Sequence, residues 1–156
     1  MDMLPVDLES GERLALGTDE IVVLTTCAQT NGDIYAGLVR MPPVGGPPVM
    51  HRHDPSEVYH VLTGEFAFYV GRPDGGVDRI PVGPGQVMPL TGGTPHTIRN
   101  ESDDEAVAFV VHAPGGAMEG FSRAAAALAA SGEPSMEAVL GIAEEYGIEL
   151  LGPVPH

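Results

Sequence analysis

Apolar and polar positions trade places with a period of two through most of the chain up to residue 112, in short runs separated by Gly and Pro. Alternation of that kind sends successive side chains to opposite faces of a strand. Residues 12–16 and 20–26 read as two strands around the turn Gly17-Thr18-Asp19, and β-branched Ile21, Val22 and Val23 suit a half-buried pleat. Asn31-Gly32-Asp33 is a turn signal ahead of a strand over 34–41, in which Tyr35, Gly37 and Val39 share one face. The Pro/Gly run 42–48 cannot be a central strand. Further strands are expected over 57–62, 66–70, 77–82, 86–89, 96–99 and 106–112. In the first of these, Glu57, Tyr59 and Val61 share the inner face while Val58, His60 and Leu62 look away. Parity leaves open whether Phe66 and Phe68 or Ala67 and Tyr69 point inward.

The period changes after Pro114-Gly115-Gly116. Met118, Phe121, Ala125 and Leu128 recur at helical spacing, which predicts an amphipathic helix over 118–130 that ends at Gly132. Ser135 is placed to cap a second helix with the apolar stripe Met136, Val139, Leu140 and Ala143. Gly147 stops it, and Ile148 stands where a Schellman cap makes its apolar contact. The tail LLGPVPH has no periodicity, and no element is expected there. The sum is an all-β fold in a single domain: a β-barrel over 1–116 and a helical segment over 117–156 packed on it.

Composition narrows the partners. The 21 Gly and 15 Pro are spread along the 156 residues, as many tight turns between short strands require. A formal net charge of −15 argues against nucleic-acid phosphates and anionic membranes. The lone Cys27 leaves no internal disulfide and reads as a strand-end residue. No apolar run approaches the ~18 residues of a membrane span, and the acidic N-terminus has no secretory pattern. A cytoplasmic protein is the expectation.

The chemistry concentrates in residues 45–64, GGPPVMHRHDPSEVYHVLTG. His51 and His53 have the same strand parity and point to one side. Asp54-Pro55-Ser56 is turn chemistry that brings Glu57 back toward them. His96, on another short strand behind a Gly/Pro turn, offers a fourth donor. Imidazoles with one carboxylate suit one divalent transition metal: iron, manganese, nickel, cobalt, copper or zinc. Tyr59, Tyr35 and Met50 are candidate pocket-lining residues. His60 is out of phase with Glu57 and belongs to the surface or to a subunit contact. His112, late in its strand, reads first as a packed or solvent-facing histidine and second as a residue at the pocket mouth, and Asn100 reads as a residue that bonds backbone at a turn. The acidic stretch 101–105 lacks the ligand alternation of a calcium loop.

These residues carry a family resemblance. Gly45, five residues, His51, one residue, His53, three residues, Glu57, six residues and Gly64 reproduce the first motif of the cupin superfamily at every fixed position. Gly83, five residues, Pro89, then Gly93, two residues, His96, three residues and Asn100 resemble the second. The departure is Leu90-Thr91-Gly92 between Pro89 and Gly93, two residues more than the family pattern, which enlarges a turn. Motifs and intervening strands cover residues 33–113. The resemblance implies a small single-domain jelly-roll barrel, often a homodimer, with His51, His53, Glu57 and His96 on the metal and a small-molecule substrate in the barrel. A single barrel followed by APGGAMEGF and a helical tail is also similar to bacterial quercetinase-like dioxygenases. That similarity implies a metal-dependent dioxygenase acting on a phenolic or flavonol-like compound, with Glu57 swinging off the metal to serve as the catalytic base. The same scaffold also serves metal-dependent isomerases and cyclases, and modules that bind a small molecule without chemistry.

Overall fold

The computed structural model describes residues 3–154; Met1, Asp2, Pro155 and His156, the outer ends of the two expected segments, lie outside the described residues. The strands are β1 (Glu12–Leu16), β2 (Asp19–Thr25), β3 (Tyr35–Met41), β4 (Val49–Arg52), β5 (Ser56–Thr63) and β6 (Phe66–Gly71). They continue with β7 (Val77–Val82), β8 (Val87–Leu90), β9 (His96–Arg99) and β10 (Ala106–Ala113). Helices α1 (Gly116–Ala130) and α2 (Met136–Glu145) follow, and β11 (Glu149–Pro153) ends the fold. The strands form two antiparallel sheets, β1-β2-β3-β10-β5-β8 and β11-β4-β9-β6-β7. This is the expected jelly roll, whose inner faces close on one core.

Side-chain parity builds that core. Along β5, Glu57, Tyr59 and Val61 are buried and Val58 and His60 are exposed. Along β10, Ala106, Ala108, Val110 and His112 are buried. The question left open on β6 resolves toward Phe66 and Phe68, which join the main core, while Ala67 is buried as well. Tyr59 meets Phe68 edge to face, with ring centroids 5.2 Å apart. Gly64 turns the β5–β6 hairpin at φ 73°, and a Cβ there would stand 2.5 Å from the Glu105 carbonyl oxygen. Only glycine fits both constraints.

Two local readings change. Cys27 does not end a strand; it opens a 3₁₀ turn over Cys27–Gln29. The turn is tied to α1, because the Cys27 N–H donates to Glu119 Oε1 at 2.8 Å. The tail is not irregular: β11 pairs antiparallel with β4 at the sheet edge. Gly152 and Pro153 hide it from a sequence reading, but an edge strand tolerates both. Arg52 and Glu149, opposite one another in register, fix it with an ion pair of 2.6 Å. That pair is exposed and contributes little alone; burial of Ile148 just before the strand does more. As expected, the Ser135 hydroxyl accepts from the Ala138 N–H, and α2 ends in a Schellman cap in which the Ile148 N–H donates to the Ala143 carbonyl.

Candidate metal centre

Four side chains converge inside the barrel mouth. His51 on β4 and His96 on β9 are direct partners in register. His53 follows β4, and the Asp54-Pro55 turn returns the chain so that Glu57, early in β5, faces the same space. His53, Glu57 and His96 are buried, at 3–4% exposure, and His51 is half-buried. One ring nitrogen each from His51, His53 and His96 lies within 4.8 Å of the others, so this group can hold a metal ion. Glu57 lies against two of them: Oε1 is 2.9 Å from His53 Nε2, and Oε2 is 3.6 Å from His96 Nε2.

The outward nitrogens set the tautomers. Nδ1 of His51, His53 and His96 lies 3.4, 3.0 and 2.8 Å from the carbonyl oxygens of Val49, Pro55 and Thr94. A carbonyl only accepts, so each Nδ1 carries its proton and each Nε2 presents a lone pair inward. His53 Nε2, His96 Nε2 and Glu57 Oε2 are buried without any hydrogen-bond partner. Buried acceptors left bare cost about 1–3 kcal/mol each. A cation between acceptors turned toward one another would satisfy them, so the donor set fits a divalent transition metal.

The electrostatics of His51 and Glu57 agree, and at His53 a proton competes with the metal for Nε2. Burial, reinforced by His96 beside it, lowers the His51 imidazolium to about 4, so this ring is a neutral donor at physiological pH. Burial also works against a charged His53, but the Glu57 carboxylate outweighs it and raises its pKa. Burial opposes ionisation of Glu57, yet His112, His53 and His96 hold its carboxyl well below the usual range.

A family model described as "Cupin domain" matches residues 37–112, which span both motifs and the four converging side chains. The chain holds a small cupin domain. Its fold is similar to that of TT1209 from Thermus thermophilus, at 26% identity and TM-score 0.58, over 72% of this chain and 98% of that one. It is also similar to the polyketide cyclase RemF from Streptomyces resistomycificus, at 19% identity and TM-score 0.63, over 72% and 80% of the two chains. A predicted oxalate decarboxylase from Thermotoga maritima aligns at 22% identity and TM-score 0.58, over 71% and 98%. No curated protein matches the chain.

Within the cupin barrel two of the converging groups, His51 and Glu57, line a cavity of about 180 Å³. Asp19, His51, Glu57, Tyr59, His112 and Ser122 are its polar wall, and Ile21, Val39 and Ile98 are part of its apolar one. Among the described residues that line it there is no arginine or lysine. The far wall comes from the C-terminal segment: Met118, Phe121 and Ser122 of α1, then Ile148 and Leu150. Tyr59 thus lies where parity placed it, and burial together with Glu57 holds its phenol well above the usual range, hence neutral. Tyr35 and Met50 are buried but are not among the residues lining this cavity. Tyr35 stacks behind His112, with centroids 5.4 Å apart.

His112 takes the second of its two sequence readings: it lines the cavity, and its contact with Glu57 was not foreseen. It lies opposite Glu57 across the β10–β5 ladder, with Nδ1 3.4 Å from Glu57 Oε1. Its parity with Ala108 and Val110 was the available signal. Asn100 does bond backbone, donating to the carbonyls of Met41 and Asp104 at 2.9 and 2.7 Å.

The enlarged turn of the second motif supports the first. The Gly93 N–H donates to the His53 carbonyl at 2.8 Å, and the Gly92 N–H to Ser56 Oγ at 2.9 Å. A Cβ on Gly92 would fall 1.9 Å from the Asp54 carbonyl oxygen. Gly92→Ala therefore forces the two turns apart next to His53. The expected result is a loss of about 1–3 kcal/mol in stability together with weaker metal affinity, read by denaturant titration and metal titration. Wild-type values in both would show that the turn has no part in holding the site.

Proposed function

We propose that this cupin is a metal-dependent enzyme, with dioxygenation of a small phenolic compound as the leading reaction. His51, His53, His96 and Glu57 would hold one divalent transition metal. The observation that carries this is the inward convergence of three imidazoles and one carboxylate, with His53 Nε2, His96 Nε2 and Glu57 Oε2 unpartnered and each imidazole fixed from behind by a backbone carbonyl. When bound, the metal supplies Lewis acidity toward a substrate oxygen and, if redox-active, electrons for dioxygen chemistry. Glu57, ionised and buried, accepts the proton of a substrate hydroxyl. His112, beside Glu57 Oε1, orients that carboxylate. The apolar wall excludes water and favours a ring over a charged acid. An engineered cavity of about 150 Å³ lined by apolar side chains takes up benzene, so a space of about 180 Å³ fits one ring at the metal. The three rings of a flavonol exceed it.

Oxygen uptake over a panel of phenols and catechols, with protein reconstituted in turn with iron, manganese, nickel, cobalt and copper, tests the reading. No uptake with any pairing rules the dioxygenase out. The Glu57–His112 contact favours a second reading, because an acid–base couple beside a Lewis acid serves an isomerase or cyclase without oxidant. Turnover that persists under argon identifies that class. His112→Gln separates orientation from packing: kcat is expected to fall about 10–100-fold, as for groups that orient metal ligands, with metal content unchanged and a shifted pH profile. A variant altered only in melting temperature would assign His112 to packing alone.

A further inference from the structure

The metal cavity does not end at its apolar wall. A second cavity, of about 360 Å³, lies between the barrel rim and the two helices. The two share Leu16, Pro47 and Phe121, so they meet across a single layer of side chains. Every residue lining the second is Leu, Ile, Val, Ala, Phe, Pro or Gly, without one hydrogen-bonding side chain. Ala125 and Leu128 of α1 form one side, and Val139 and Ile142 of α2 the other. Such a surface rejects sugars, phosphates and dicarboxylates, for which it has no partner. The first cavity alone is smaller than the ~300–1,000 Å³ usual for ligand sites; the two taken together fall within that range.

The geometry points to a substrate with a polar, oxygen-bearing head at the histidine cluster and an apolar tail that passes Phe121 into the chamber between the helices. The C-terminal segment is then a specificity element that selects for the tail. The inference rests on the proposed metal reading for the head group only; the chamber stands on its own lining.

The test is calorimetric titration of the full chain, with and without bound metal, using catechol and 4-alkylcatechols of increasing chain length. Affinity is expected to rise about fourfold per methylene until the chamber is full, and then to level off. Ala125→Phe fills the chamber. It should flatten that slope while leaving the affinity for catechol itself, and the metal content, unchanged. Ala125→Leu is the smaller insertion to use if the phenylalanine variant does not fold, and it should shorten the rising part of the series. The slope and the intercept report separately. A slope kept in metal-free protein, with no metal effect on catechol, supports the tail chamber and sinks the metal reading. A metal-dependent affinity for catechol with no gain from added methylenes overturns the tail chamber and leaves the metal reading standing. A slope that Ala125→Phe does not change also overturns it, since the tail would then lie elsewhere.

Discussion

Saturation with a divalent transition metal is expected to raise the melting temperature by about 10 °C, and chelation to reverse it. The size follows from mass action. A ligand that binds only the folded state at a thousandfold excess over its dissociation constant stabilises by about 4 kcal/mol. Each kcal/mol moves the midpoint by about 2–4 °C in a domain of this size. The folded state alone brings His51 and His53 together with His96, which is 43 residues further on than His53. An unfolded chain keeps only the weak local pair. The metal-free barrel also starts at a disadvantage, because it buries Glu57 Oε2 and three imidazole nitrogens, of His53, His96 and His112, without a hydrogen-bond partner. His96→Ala should abolish the shift, although it also removes one of those orphans. Differential scanning calorimetry with manganese, iron, cobalt, nickel, copper and zinc is the measurement. A midpoint indifferent to all six would mean that the cluster is a relic of descent and not a working site.

How much of this was legible in the sequence follows the range of the interactions. His51, His53 and Glu57 sit within seven residues, so strand parity and one turn were enough to aim them together. The burial of Glu57, Tyr59 and Val61, against exposed Val58 and His60, came from the same alternation. His96 was reached through motif spacing, since nothing local links it to β4. What escaped was set by pairing. His112 became a neighbour of Glu57 only through the β10–β5 register, between strands some fifty residues apart in the chain. β11 has Gly152 and Pro153 and almost no strand propensity; β4 and the burial of Ile148 make it a strand. The carbonyls that orient the three imidazoles belong to residues two positions away, and ring rotamers, which a sequence does not display, decide that contact. The second chamber was hidden for a related reason. The apolar stripes of both helices were visible, but not that α1 and α2 would leave a gap against the barrel rim.

Glu57→Gln should lower kcat per bound metal by about 10²–10⁴-fold, the range for a lost general base. The substitution keeps shape and volume, so the core around Tyr59 and Val61 has no reason to move. It removes the charge, and with it the capacity to take a proton at physiological pH. Glu57 is suited to that step because its neighbours keep it ionised despite burial: His112, His53 and His96 together outweigh the desolvation. An amide there still offers one oxygen toward the histidines, and metal affinity should weaken less than turnover does. The comparison must therefore be made per metal, with elemental analysis of each preparation. Three outcomes separate the roles. A loss of turnover larger than the loss of metal assigns the proton transfer to Glu57. Equal losses make Glu57 a ligand and nothing more, and another group must accept the proton; His112, 3.4 Å away, is then the first to test. Full turnover in a metal-loaded glutamine variant removes Glu57 from the chemistry altogether, and the proposed enzyme would lose the one acid–base residue that both of its readings require.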